Sequence, residues 1–133
     1  MSGRFLLDTN IVIRLFAGDE AVSEFLDRAE EVFVASVVLG ELYFGARKSE
    51  RTSENLARID EFAVQSTILS IDMETARRYG VIIKNDLRKK GRPIPENDIW
   101  LAAVSLQHNL TLVTQDEHFS AIENLQSERW LVS

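Results

Sequence analysis

Cysteine is absent from the 133-residue chain, and histidine occurs only twice. The first absence excludes disulfides, thiolate zinc sites and a cysteine nucleophile; the second excludes a metal centre built from several imidazoles. Pro93 and Pro95 are the only prolines, and no stretch is rich in Pro, Gly or Ser. Nothing therefore marks an internal linker or a repeat, and one domain over residues 1–133 is expected. No apolar run approaches the roughly 20 residues of a membrane helix. Residues 1–20 lack the basic start and apolar middle of a secretory signal, so a cytoplasmic protein without membrane contact is expected.

What is present is 45% hydrophobic, enough for a core in a domain of this length. The net charge of −6 argues against coating nucleic acid by bulk electrostatics. That charge is unevenly spread. Between Arg77 and Arg92 seven basic residues face one acid, Asp86, so this stretch carries +6 and the remainder −12. Lysines and arginines at a helix C-terminus suit the helix dipole as a solvated face; the same cluster, with Lys84, Arg88, Lys89, Lys90 and Arg92, also suits a phosphate backbone.

Short apolar runs that suit buried strands fall at Phe5–Leu7, Val32–Ala35, Thr67–Ile71, Leu110–Thr114 and Trp130–Val132. Helical patterns separate them. Leu56, Ile59, Phe62 and Ala63 form one apolar stripe, and Ala76, Tyr79, Ile83 and Leu87 form another. Asp72 can cap the second of these helices and Gly91 can end it, while Ser36 can cap a helix carrying Glu41. An apolar helix is expected over Asn97–His108, stopped by Asn109. Strands alternating with helices imply an α/β fold whose mostly parallel sheet is covered on both faces. In such sheets ligands bind beyond the carboxyl ends of the strands, so the residues there matter most.

Four acids fall at or beside those positions, and each has an ordinary use. Asp8 ends the run FLLDTN, where a carboxylate can cap the next helix, as can Thr9 and Asn10. Glu41 sits in an apolar helix with Gly45 one turn on, either as part of a solvated stripe or with open space beside its carboxylate. Asp98 opens the Asn97–His108 helix, where Glu96 and Asn97 already offer capping groups and Asp98 can compensate the dipole. Asp116 follows LVTQ, where an Asx turn would suffice. Gathered at one sheet edge, however, four carboxylates repel, and a hard oxygen-seeking cation such as Mg2+ or Mn2+ relieves the repulsion. Such an ion activates water for attack on a phosphodiester, with Thr9, Asn10 and Thr114 able to hold waters or orient ligand oxygens around it.

The segments FLLDTNIVIRLF, SVVLGELYFGA, GRPIPENDIWLAA and LVTQDEHF together resemble the PIN-domain family, in particular the VapC-type ribonuclease toxins, across nearly the whole chain. The resemblance implies a three-layer α/β/α fold with about five central strands. It assigns metal-binding and catalytic roles to Asp8, Glu41, Asp98 and Asp116, the last being the most variable in the family. It further implies endonucleolytic hydrolysis of RNA, a homodimer, and inhibition by a cognate antitoxin whose tail covers the acidic pocket.

The remaining aromatic and imidazole groups are assigned to structure. Trp100 and Trp130 are expected to pack, Phe16, Tyr43 and Phe44 to pack in the core or else to form an apolar groove for the antitoxin helix, and His108 and His118 to sit at helix ends. Two rivals stand beside the nuclease. An aspartate-nucleophile phosphatase shares the strand-end acid but needs D-x-D, where this chain has Asp8, Thr9 and Asn10. A non-catalytic RNA- or protein-binding module would keep the pocket without the chemistry.

Overall fold

The computed structural model describes residues 3–130. Strand β1 (Arg4–Leu7) leads into α1 (Thr9–Phe16) and α2 (Glu20–Arg28), and β2 (Glu31–Ala35) into α3 (Ser36–Arg47) and α4 (Thr52–Gln65). After β3 (Thr67–Leu69), α5 (Met73–Arg77) continues through a π-helical stretch, Arg78–Lys84, into α6 (Asn85–Lys90). Helix α7 (Glu96–Gln107), β4 (Thr111–Val113), a 3-10 turn over Glu117–Ala121 and β5 (Ser127–Glu128) complete the described chain.

The five strands form one sheet in the order β3-β2-β1-β4-β5, with every pairing parallel. Phe5, Leu6 and Leu7 are all buried, although consecutive strand residues point to opposite faces. Helices must therefore cover both faces, giving the three-layer α/β/α architecture expected from the sequence. The core is continuous from Leu6 and Leu112 in the central strands to Trp130, whose indole meets Phe5 edge-on and stacks on Phe25. Full burial of a side chain such as Leu6 contributes about 1.5–3 kcal/mol.

The chain order creates a reversal. From β1 the sheet grows one way through β2 and β3, then returns to add β4 and β5 on the other side. In parallel sheets such a reversal is where the connecting segments diverge and ligands bind, here beyond the carboxyl ends of β1 and β4.

Local signals explain most boundaries. Asp72 and Thr75 form a reciprocal capping box at the start of α5, and Gly91 ends α6 at φ 64°, a left-handed conformation that costs glycine little. Asn109, at φ 54°, follows α7 as anticipated. Other expectations need correction. Ser36 is the first residue of α3 and makes no capping hydrogen bond; the extended Ala35 precedes it directly. The N-terminus of α7 has no side-chain cap either, and Pro95, with its fixed φ, sets the entry instead. The fifth strand lies at Ser127–Glu128, because pairing with Leu112 and Val113 fixes its register; Trp130 follows as a core plug, and residues 131–132 lie outside the described chain. Phe44 does not pack: it is 64% exposed, with the Lys48 ammonium over its ring.

Candidate active site

Asp8 extends the β1 ladder by one bond, its N–H donating to Val113 O at 2.9 Å, which fixes it at the carboxyl ends of β1 and β4. The carboxylate caps α1, accepting from Thr9 N–H at 2.7 Å on Oδ1. On Oδ2 it accepts from the buried Thr114 hydroxyl, also at 2.7 Å. Thr114 in turn accepts from the Asp116 N–H at 3.0 Å, so one hydroxyl ties the end of β1 to the loop after β4. Cap and site are thus the same side chain. Asp8 is only 4% exposed, and burial pushes its carboxyl above the usual carboxylate range, with Asp116 adding repulsion.

Asp98 arrives from the first turn of α7. Its carboxyl is pushed up to about 6, first by burial and then by the charge of Asp8, while His118 pulls the other way. A helix N-terminus should favour the ionised form, so the net rise measures how strongly the surroundings disfavour another negative charge. Asp116 acts on both Asp8 and Asp98, and ligand atoms of Asp98, Asp116 and His118 all lie within 4.8 Å of one another. Among the described residues Glu41, on α3, is linked to Asp8 only through Thr9, whose hydroxyl donates to Oε1 at 3.0 Å; neither Glu41 nor Asp8 belongs to the trio of mutually close ligand atoms. A side chain at Gly45 would meet nothing within 4 Å, so an open groove of about 330 Å³ adjoins Glu41, lined also by Ile13, Phe16 and Ile59.

The remaining anticipated residues divide. Thr9 and Thr114 touch site carboxylates; Asn10 is exposed and makes no side-chain hydrogen bond among the described residues. Of the basic set, Lys84 is drawn into contacts with Glu96 at 2.6 Å and with the Tyr79 hydroxyl, which itself bonds Glu96. Lys90 pairs with Asp86 at 2.8 Å and donates to Ala121 O. Arg88, Lys89 and Arg92 remain exposed with no ion pair among the described residues.

His118 sits at a helix end as expected, in the first turn of the 3-10 helix Glu117–Ala121, but its contact with the site was not anticipated. His108 does end α7, but His118, in the 3-10 turn after Asp116, puts Nε2 2.8 Å from Asp98 Oδ2. That nitrogen is shut off from solvent and has no aligned hydrogen-bond partner among the described residues. The signal available in the sequence was its two-residue spacing from Asp116.

A set of carboxylate oxygens with raised proton affinity around a solvent-inaccessible nitrogen has the donor chemistry of a divalent-cation site. Residues 5–125 match the PIN domain family model. The chain is 37% identical over 131 residues to Ribonuclease VapC2 of Haemophilus influenzae, covering 96% of this chain and 98% of that protein. It is 32% identical over 130 residues to the tRNA(fMet)-specific endonuclease VapC of Shigella flexneri, covering 96% and 98%. Among solved structures it is similar to VapBC2 from Rickettsia felis bound to a DNA fragment from their promoter, with TM-score 0.88, 28% identity and coverage of 96% and 98%. VapBC-1 from nontypeable Haemophilus influenzae gives 0.86 and 28% with the same coverage. The chain belongs to the PIN domain family, alongside the VapC ribonucleases that it matches over almost their whole length.

Proposed function

We propose that this protein is a metal-dependent endoribonuclease, the toxin of a toxin–antitoxin pair, held inactive by its cognate antitoxin. The observation that carries the reading is the convergence of Asp8, Asp98 and Asp116, from three separate elements, at the carboxyl ends of β1 and β4. Their family relatives carry the names ribonuclease and endonuclease. Asp8, Glu41, Asp98 and Asp116 would hold Mg2+ (or Mn2+), which when bound supplies Lewis acidity and lowers the pKa of water.

The chain's own groups do the positioning. Thr114 fixes the Asp8 carboxylate and Thr9 fixes that of Glu41, so neither must be ordered when substrate arrives. Arg88, Lys89 and Arg92 offer uncommitted cations to an RNA backbone, whereas Lys84 and Lys90 are partly neutralised. The apolar groove beside Glu41 suits an antitoxin segment that packs there and extends a cation toward the carboxylates. Met73, Val81 and Ile82, on α5 and the π-helical stretch after it, expose apolar surface against which a second copy can pair.

Purified protein incubated with RNA and Mg2+ or Mn2+ should cleave internal phosphodiester bonds, stop in chelator, and stop when the cognate antitoxin is added. RNA that is bound yet intact under every metal condition would make the chain a binding module.

A further inference from the structure

We infer that His118 is a nitrogen ligand of the cation centre, and that it makes the site select a first-row transition ion over Mg2+. The inference rests on the cation-dependent reading above and concerns a residue outside the four acids.

Three observations carry it. Nε2 is enclosed, although the side chain as a whole is 32% exposed, and it lies 2.8 Å from Asp98 Oδ2 off the line of a straight hydrogen bond while still favouring the ionised Asp98. A histidine–aspartate pair that merely anchored the turn would point its N–H along that line. Donor atoms on adjacent corners of an octahedron with bonds of about 2.1 Å stand about 3 Å apart, so this spacing suits two ligands of one small ion. Third, the ring is positioned in advance: His118 lies against Phe119, its centroid 4.7 Å away, and Phe119 is buried in the core. Asp116 completes the trio, its ligand atom within 4.8 Å of both others.

The chemical consequence concerns selectivity. Mg2+ is a hard ion that takes oxygen donors and keeps much of its water, whereas imidazole nitrogen binds later first-row ions progressively better. One imidazole among carboxylates tips the preference toward the transition ion without removing the affinity for Mg2+.

The test is pulsed EPR of the Mn2+-loaded full-length protein, with unlabelled and 15N-histidine-labelled wild type beside His118→Gln and His108→Gln. The expected result is a coordinated-nitrogen signal that changes isotope pattern on labelling, vanishes in His118→Gln and survives in His108→Gln. Calorimetric titration should show His118→Gln weakening Mn2+ and Co2+ about 10-fold or more and Mg2+ less than about 3-fold. The labelled wild type gives the ligand answer even where the variant fails to fold. Mn2+ bound without nitrogen coupling overturns the ligand assignment and leaves the carboxylate centre standing. Wild type that binds no Mn2+ at millimolar concentration, or Asp98→Asn that binds it unchanged, overturns the centre and this inference together.

Discussion

Asp8 and Asp72 do the same local work in opposite surroundings. Each is an extended residue whose carboxylate caps the helix that follows, α1 in one case and α5 in the other. Asp72 is exposed, and bonds from the Thr75 backbone and from the Gln107 amide, the latter at 2.9 and 3.1 Å, hold its carboxyl below the usual range. Asp8 is buried, and despite two hydrogen bonds its carboxyl is pushed up. A cap whose charge is welcome serves the fold. A cap whose charge is unwelcome is retained at a cost to stability, and the compensating use is a ligand that brings positive charge.

The largest effect that sharpens this contrast is on catalysis. Asp8→Asn keeps one acceptor oxygen, for the Thr9 N–H, but replaces the oxygen that accepts from Thr114 with an amide donor and removes the charge, so RNA cleavage should fall by about 10³-fold, against no more than a small change for Asp72→Asn. Comparable activity losses in the two variants would erase the distinction.

Next comes stability without metal. Asp98 is raised to about 6 from 3.8, so the folded chain holds its proton more tightly than the unfolded one between those values. Stability therefore declines as pH rises from about 4 to 6 and levels beyond. Metal-free Asp98→Asn should match wild type near pH 4 and exceed it at pH 7, by about 1–2 kcal/mol once solvent screening of the half-buried group is allowed for. Chemical denaturation at several pH values measures the gap.

Asp72 carries the opposite sign. Its lowered carboxyl contributes stability above pH 3.8 that is lost as pH falls through the folded-state value. Asp72→Ala should thus be less stable than wild type at pH 7, with the difference closing in strong acid and RNA cleavage intact. The smallest effect is on substrate affinity: replacing Arg88, Lys89 and Arg92 by Ala should make the log–log salt dependence of RNA binding shallower by about 2. A change of about 0.7 from Lys84→Ala alone, the full share of one free cation, would show that its contacts with Glu96 do not restrain it.

The sheet was legible because buried parallel strands write themselves as short apolar runs, and all but the last fell near their expected places. The exception is instructive. Trp130–Val132 looks like a strand because it is apolar, but Trp130 is buried by aromatic packing, whereas the pairing residues Ser127 and Glu128 are polar. Of the expected stripe Ile83 and Leu87 are buried, but Ala76 is exposed and Thr75 is buried in its place, because the π-helical turn over Arg78–Lys84 departs from the 3.6-residue period on which the stripe was read. At the site, Asp8, Asp98 and Asp116 were visible as acids at strand and helix ends. His118 was not, since its approach to Asp98 depends on how the 3-10 turn folds back toward α7. Lys84 was overcounted as a free cation because its partner Glu96 is twelve residues away.

Anomalous diffraction from a crystal soaked in saturating Mn2+ tests the central claim most directly. A peak in contact with carboxylate oxygens of Asp8, Asp98 and Asp116 is the predicted result. Saturating Mn2+ with no peak among these side chains, in a crystal that leaves the carboxyl ends of β1 and β4 uncovered, would contradict it.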